Sequence, residues 1–222
     1  RLVMIETILT TIYVYFASPL GLVELFGTIF SAICVYLAIK HNMWTWFFGA
    51  LGVILFGYLF LQFGLYSDAG LQILFYLPMQ VVGFIMWRRA ASKAENKSVV
   101  LSLTLVQFAL IGIGILGAAG LNGYLIATYT TGASFPYIDA LTTWMSIAAQ
   151  LLMIAKYRES WIIWVAMDVI AIFVYYAKGL VVVSGLYVLF LVLATMGGIA
   201  WYRDYAKQNR ETASSIPVVD RT

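Results

Sequence analysis

The chain has 222 residues, of which 63% are apolar and only 10% charged, for a net charge of +3, and its mean hydropathy is +0.93. Soluble domains carry about a quarter charged residues, so these proportions exclude a water-soluble globule. One cysteine, Cys34, and one histidine, His41, exclude an intrachain disulfide framework, a Cys/His zinc site and a Cys–His nucleophilic pair.

Residues 1–17 come first in chain order. Leu2, Ile5, Leu9 and Ile12 mark one face, and Glu6, Thr7, Thr10 and Thr11 another. The pattern predicts an amphipathic helix lying in the membrane interface, since the segment is too short to span. A lone Arg1 and an internal Glu6 fit a signal peptide poorly. Seven apolar runs follow: Leu20 to Ile39, Trp44 to Leu65, Ala69 to Trp87, Val99 to Ile126, Ile138 to Ala155, Trp161 to Ala177 and Leu180 to Tyr202. Each holds about 17–28 residues, enough at 1.5 Å per residue to cross a hydrocarbon core of roughly 30 Å. Lipid offers backbone groups no partner, so all seven are expected as helices, an all-α membrane protein. Trp44, Trp46, Trp87, Tyr157, Trp161, Trp201 and Tyr202 gather near the ends of the runs, as an interfacial belt would. Beyond Arg203 the chain is polar, with Ser214, Ser215 and Pro217, and a disordered tail is expected over 203–222.

With seven spans, the loops after the first, third, fifth and seventh share one side. They hold Lys40; Arg88, Arg89, Lys93 and Lys97; Lys156 and Arg158; and Arg203, Lys207, Arg210 and Arg221, eleven of the thirteen basic residues. The positive-inside rule places that side, and the C-terminus, in the cytoplasm, with the N-terminus outside a bacterial inner membrane.

The first three spans resemble the last three. Glu24, Thr28 and Ser31 share an acid-x3-Thr-x2-Ser spacing with Asp139, Thr143 and Ser146, 115 residues later. Lys40 followed by Trp44 and Trp46 mirrors Lys156 followed by Trp161 and Trp164, which makes Trp46 the counterpart of Trp164. Gly64-Leu65 likewise mirrors Gly179-Leu180. The expected organisation is a 3+1+3 arrangement: a three-helix repeat over 20–87, a linking helix over 98–127 and a second repeat over 137–202. One linking helix returns the second repeat to the orientation of the first, so the repeats are parallel. Such folds bind substrate near the midplane between the two bundles and transport by alternating access.

Asp168 stands inside the sixth run, about 10 Å along the helix from Trp161. A carboxylate at that depth is costly and marks a functional site by default, although a structural Asp hydrogen-bonded to a neighbouring helix is the plainer alternative. Trp161, Trp164, Asp168 and Tyr175 follow one helical stripe. Aromatic rings flanking an acid suit a flat cationic ligand. On the third span Gln72, Tyr76 and Gln80 stand at i, i+4 and i+8, where two amides and a phenol can bond a polar ligand or glue helices together. Tyr187, in the seventh span, is a candidate for the same cavity, and Trp46 enters through its repeat position. Gln62, Gln107 and Gln150 read as interhelical glue, and Glu24 and Asp139 as charges favoured at helix N-termini. Gly112-Ile-Gly114-Ile-Leu-Gly117 spells a dinucleotide fingerprint, but inside a span it reads as small residues for close helix packing. No basic patch outside the membrane suggests nucleic acid, and no catalytic or metal-binding set stands out. A cofactor is not called for.

Trp44-Thr-Trp-Phe-Phe-Gly49, Leu65-Tyr-Ser-Asp-Ala-Gly-Leu-Gln72 and Lys156-Tyr-Arg-Glu-Ser-Trp-Ile-Ile-Trp164, with Asp168, resemble the PnuC family of vitamin B3 transporters. The resemblance runs from Gly21 to Arg203. It implies a fold like that of the SWEET sugar transporters and uptake of nicotinamide riboside by facilitated diffusion, drawn inward by cytoplasmic phosphorylation. Nicotinamide riboside has a cationic aromatic ring, an amide and a ribose, which match an acid, aromatics and glutamines. Relatives of this type carry thiamine or other vitamins. A receptor or an intramembrane enzyme is the alternative of another class, and the oligomeric state, homo-oligomers included, stays open.

Overall fold

The computed structural model describes residues 18–63, 66–93, 99–130, 135–177 and 181–214. The expected interfacial helix at 1–17, the Gly64-Leu65 and Gly179-Leu180 pairs and the last eight residues lie outside them. The described residues form α1 (Pro19–Ile39), α2 (Trp44–Gln62), α3 (Tyr66–Gly70), a π-helical segment (Leu71–Tyr76), α4 (Leu77–Lys93), α5 (Leu105–Tyr129), α6 (Pro136–Ile154), α7 (Ser160–Ala177) and α8 (Val181–Ser214). Among the described residues seven spans are long and apolar enough to cross a membrane, the third composed of α3, the π segment and α4. The protein is a multi-pass, all-helical membrane protein.

Local chemistry starts these helices. Ser18 Oγ accepts from Gly21 N at 3.1 Å, with Pro19 as the first helical residue, so a serine caps α1 and Glu24 lies beyond its first turn. Thr104 and Gln107 close a reciprocal capping box at the start of α5, 2.9 Å and 3.3 Å. Gln107 is therefore a cap rather than interhelical glue. Asp139 does sit in the first turn of α6, where a negative charge is favoured. α8 is 34 residues long and continues past Arg203 to Ser214. The start of the expected disordered tail is thus helical, and at roughly 50 Å the helix outruns the hydrocarbon core.

The chain divides into two compact units, Arg1–Ile85 and Met86–Thr222. Within each, one helical hairpin turns the corner in the same way. His41 and Lys156 adopt left-handed φ values of 53° and 61°. His41 N bonds Ala38 O and Lys156 N bonds Met153 O, both at 3.0 Å; Asn42 N bonds Leu37 O and Tyr157 N bonds Leu152 O, both at 2.9 Å. Trp46 N to Met43 O and Trp161 N to Arg158 O repeat again at 3.3 Å. These equivalent atoms are 115 residues apart, the spacing of Glu24 and Asp139. The register makes Trp161 the counterpart of Trp46, correcting the pairing with Trp164. Aligning Lys40 with Lys156 is one residue off because the backbone, not the charge, defines this turn.

Gly112, Gly114 and Gly117 of α5 have nothing within 4 Å of where a Cβ would stand. The close packing expected of them is not made among the described residues.

Candidate functional site

In the second unit, α7 buries one face. Ile163, Met167 and Ala171 meet Met145, Ala149 and Leu152 of α6, and Trp164, Tyr175 and Tyr187 pack half-buried against that cluster. Asp168 shares the buried side at 3% exposure. Among the described residues no hydrogen bond or ion pair engages its carboxylate, so the described structure offers no structural partner to explain a buried Asp. Two helical turns along α7, Tyr175 stacks on Tyr187 of α8, ring centroids 5.1 Å apart and planes 10° from parallel. Ser184 Oγ, bonded to Ile172 O at 3.0 Å, pins α8 to α7 beside that pair. The structure therefore stacks Tyr175 of α7, the helix that carries Trp164 and Asp168, on Tyr187 of α8.

Trp161 belongs to the core instead. It is 1% exposed, lies against Gly197 and meets Trp201 edge-on at 5.6 Å. Trp87 and Trp201, expected in an interfacial belt, are buried too. Trp87 Nε1 donates to Ile154 O at 3.1 Å, and Lys156 Nζ lies 4.6 Å from its ring centroid. Burial holds the Lys156 ammonium below the usual lysine range. Trp44 keeps the exposed position a belt residue needs.

In the first unit, α2 and α4 pack by exchange. Trp46 of α2 lies against Gly83 of α4, while Gln80 of α4 lies against Gly49 of α2. Each large side chain fills the space a glycine leaves, and each glycine stands three residues from the other partner. Trp46 is 4% exposed as a result, a packed position rather than an open ring face. Gln80 is buried as well. Cys34 Sγ lies 3.4 Å from Thr45 Oγ1, which also donates to Cys34 O at 2.8 Å, so Cys34 faces protein.

Gln72 and Tyr76, both half-buried, fall in the π segment. Pro78 has no N–H to give Leu74 O, and the backbone widens just before it, with Leu77 N bonded to Gln72 O. A π turn advances less per residue than an α turn, so the expected even stripe of Gln72, Tyr76 and Gln80 is broken. Such segments are rare and frequent at functional sites.

Sequence reasoning passed over Arg158 and Glu159, counting the first as a topology charge. Glu159 is buried and salt-bridged to Arg158 at 3.1 Å. Its other partners, Ser102 and Leu103, lie more than fifty residues away in sequence, and only the fold reveals them.

The family model for nicotinamide mononucleotide transporters matches residues 21–203. A nicotinamide riboside transporter PnuC of Neisseria mucosa is 33% identical over 144 residues, 63% of this chain and 54% of that protein. The chain thus aligns with about half the length of that relative. The nicotinamide riboside transporter PnuC of Escherichia coli is 27% identical over 207 residues, 82% of this chain and 85% of the relative. A crystal structure of the vitamin B3 transporter PnuC superposes with a TM-score of 0.70 at 28% identity, covering 92% of this chain and 91% of the other.

Proposed function

The chain belongs to the nicotinamide mononucleotide transporter family, and from that premise we propose that it carries nicotinamide riboside into the cell by facilitated diffusion. The basic ends of its helices face the cytoplasm of a bacterium, and the N-terminus lies outside. Homologues are transporters rather than enzymes, which leaves recognition and passage as the chemistry to be explained.

Asp168 is the observation that carries the choice of substrate. Its carboxylate is buried and without a partner among the described residues, on a helix that also bears Trp164 and Tyr175. A cationic pyridinium ring supplies the missing charge, and the aromatic rings offer stacking and cation–π attraction. Trp164, Asp168, Tyr175 and Tyr187 are therefore assigned to the ring. Gln72, Tyr76 and Gln80 are candidates for its carboxamide and ribose. Trp46 is assigned to packing within its own bundle, on the strength of its burial against Gly83.

The test is a calorimetric titration of the purified protein with nicotinamide riboside, thiamine and riboflavin. Nicotinamide riboside is expected to bind tightest. Tighter thiamine binding would reassign the substrate while leaving the acid-and-aromatic argument intact, and tighter riboflavin binding, a neutral ligand, would remove it. Uptake into proteoliposomes that is indifferent to pH gradients and protonophores supports facilitated diffusion over proton coupling.

A further inference from the structure

The α6–α7 turn carries side-chain bonds that reach well beyond the turn itself. Glu159, 6% exposed, stands immediately before α7, and its backbone carbonyl accepts the first helical amides, from Ile162 and Ile163. Its carboxylate reaches back to the segment leading into α5, accepting from Ser102 Oγ at 2.8 Å and Leu103 N at 3.1 Å. Arg158 Nε donates to that carboxylate at 3.1 Å and to Ser102 Oγ at 3.2 Å. The Arg158 guanidinium lies 4.1 Å from the Tyr202 ring centroid and 4.2 Å from that of Tyr205, both on α8.

Backbone and amide bonds close the same junction. Leu101 N bonds Lys156 O at 2.9 Å and Arg158 N bonds Leu101 O at 3.1 Å, pairing Leu101 with Tyr157 in a one-residue parallel bridge. Farther along α8, Gln208 holds both backbone groups of Val100, at 3.2 Å and 3.5 Å. At the equivalent place in the first unit, Trp44 occupies the Glu159 position and is 61% exposed. In that turn Asn42 Oδ1 accepts from Trp44 N at 2.9 Å.

We propose that Glu159 is a positioning residue for transport. The clasp it centres stays closed throughout the cycle and fixes the start of α7 against the segment before α5 and the projecting end of α8. The proposal rests on the reading of Trp164 and Asp168 as substrate contacts. They lie about 8 Å and 14 Å along α7 from Glu159, so any slide or rotation of the helix start would move both. An opening clasp would have to orphan a buried, charge-bonded carboxylate in every cycle, the costliest way to lose a hydrogen bond.

Cross-linking decides between a fixed clasp and a gate. Bridge partners stand roughly 5 Å apart, within disulfide reach, so Leu101→Cys with Tyr157→Cys, in a Cys34→Ala background, can be locked by oxidation. The oxidised protein is expected to take up nicotinamide riboside within about twofold of its reduced form. Loss of uptake on oxidation, regained on reduction, overturns the proposal. Glu159→Ala is expected to raise the KM of uptake about tenfold with the maximal rate little changed, per folded protein. Glu159→Gln restores KM, because its amide oxygen still accepts from Leu103 N. An unchanged KM in Glu159→Ala overturns the positioning role.

Hydrogen exchange supplies a readout independent of the substrate's identity. The Leu101 and Arg158 amides are expected to stay protected with and without ligand, and exposure on ligand addition overturns the clasp. If the reduced protein takes up no nicotinamide riboside, the substrate reading fails, and exchange at these two amides still decides the clasp.

Discussion

Trp161 lies so close over Gly197 that a Cβ at that glycine would stand 2.5 Å from the indole, and Trp46 stands to Gly83 in the same way. Both units thus use a tryptophan from the second helix of the hairpin to fill the notch of a glycine in the following span. Gly197→Ala and Gly83→Ala are each expected to cost about 1–3 kcal/mol by overpacking, read as a fall in thermal midpoint in detergent. Gly112→Ala and Gly114→Ala, where nothing lies within 4 Å, are the controls and are expected to be neutral or slightly stabilising, since alanine favours helix. A Gly197→Ala protein that melts with the controls would show that the notch is dispensable.

Gln80 and Gly49 make a coupled pair. A methyl group at Gly49 would collide with the Gln80 amide, so Gly49→Ala must displace that amide from its buried position. If Gln80 holds a polar group of the substrate, Gln80→Ala and Gly49→Ala each weaken binding about tenfold, and the double variant binds no worse than either alone. Titration of the four proteins completes the cycle. Strictly additive losses would mean that the two residues act separately.

Seven spans were legible from hydropathy alone, because lipid admits so few backbone solutions that long apolar runs leave little choice. The 115-residue repeat was legible in Glu24 and Asp139 but slipped at the turn, by one residue at Lys40 and by three at Trp46. His41 and Lys156 take the left-handed position there, and neither is the glycine or asparagine that would announce it. Pro78 was a visible sign of the π segment, yet a stripe drawn at i, i+4 and i+8 assumes an unbroken α-helix. The burial of Trp87 and Trp201 was hidden because tryptophan near a span end suits both belt and core. Glu159 was hidden for another reason: an acid beside an arginine in a short loop looks solvated until Ser102 and Leu103 are brought to it.

Lys156 links the same turn to pH. Its ammonium is half-buried beside Trp87, and burial lowers its pKa from the ordinary 10.5. The unfolded chain therefore holds this proton to higher pH than the folded one. Between the lowered and the ordinary value the unfolded state binds more protons, so stability rises with pH through that window. Below it both states are charged and the burial cost is fully present. Lys156→Met keeps the apolar stem and removes the charge. The thermal midpoint of the wild type is expected to gain on that of Lys156→Met as the pH rises toward the ordinary lysine value of 10.5, and parallel curves would mean that the ammonium is not desolvated.

Asp168 yields the sharpest prediction, because two explanations of a buried carboxylate diverge on charge. As the counter-ion of a pyridinium ring, Asp168 should discriminate nicotinamide riboside from its reduced form, which keeps the amide and ribose but loses the positive charge. Asp168→Ala is expected to weaken nicotinamide riboside binding by about tenfold or more, roughly 1.4 kcal/mol. Asp168→Asn preserves shape and one acceptor, so it should lower affinity for the charged form and leave the reduced form nearly unchanged. A structural Asp would behave differently, since its replacement would shift the melting midpoint and both affinities together. The ratio of the two affinities, measured in wild type and Asp168→Asn by calorimetry, separates the cases. A ratio that survives the substitution would take the carboxylate out of ligand recognition and leave Trp164 and the Tyr175–Tyr187 stack to account for it.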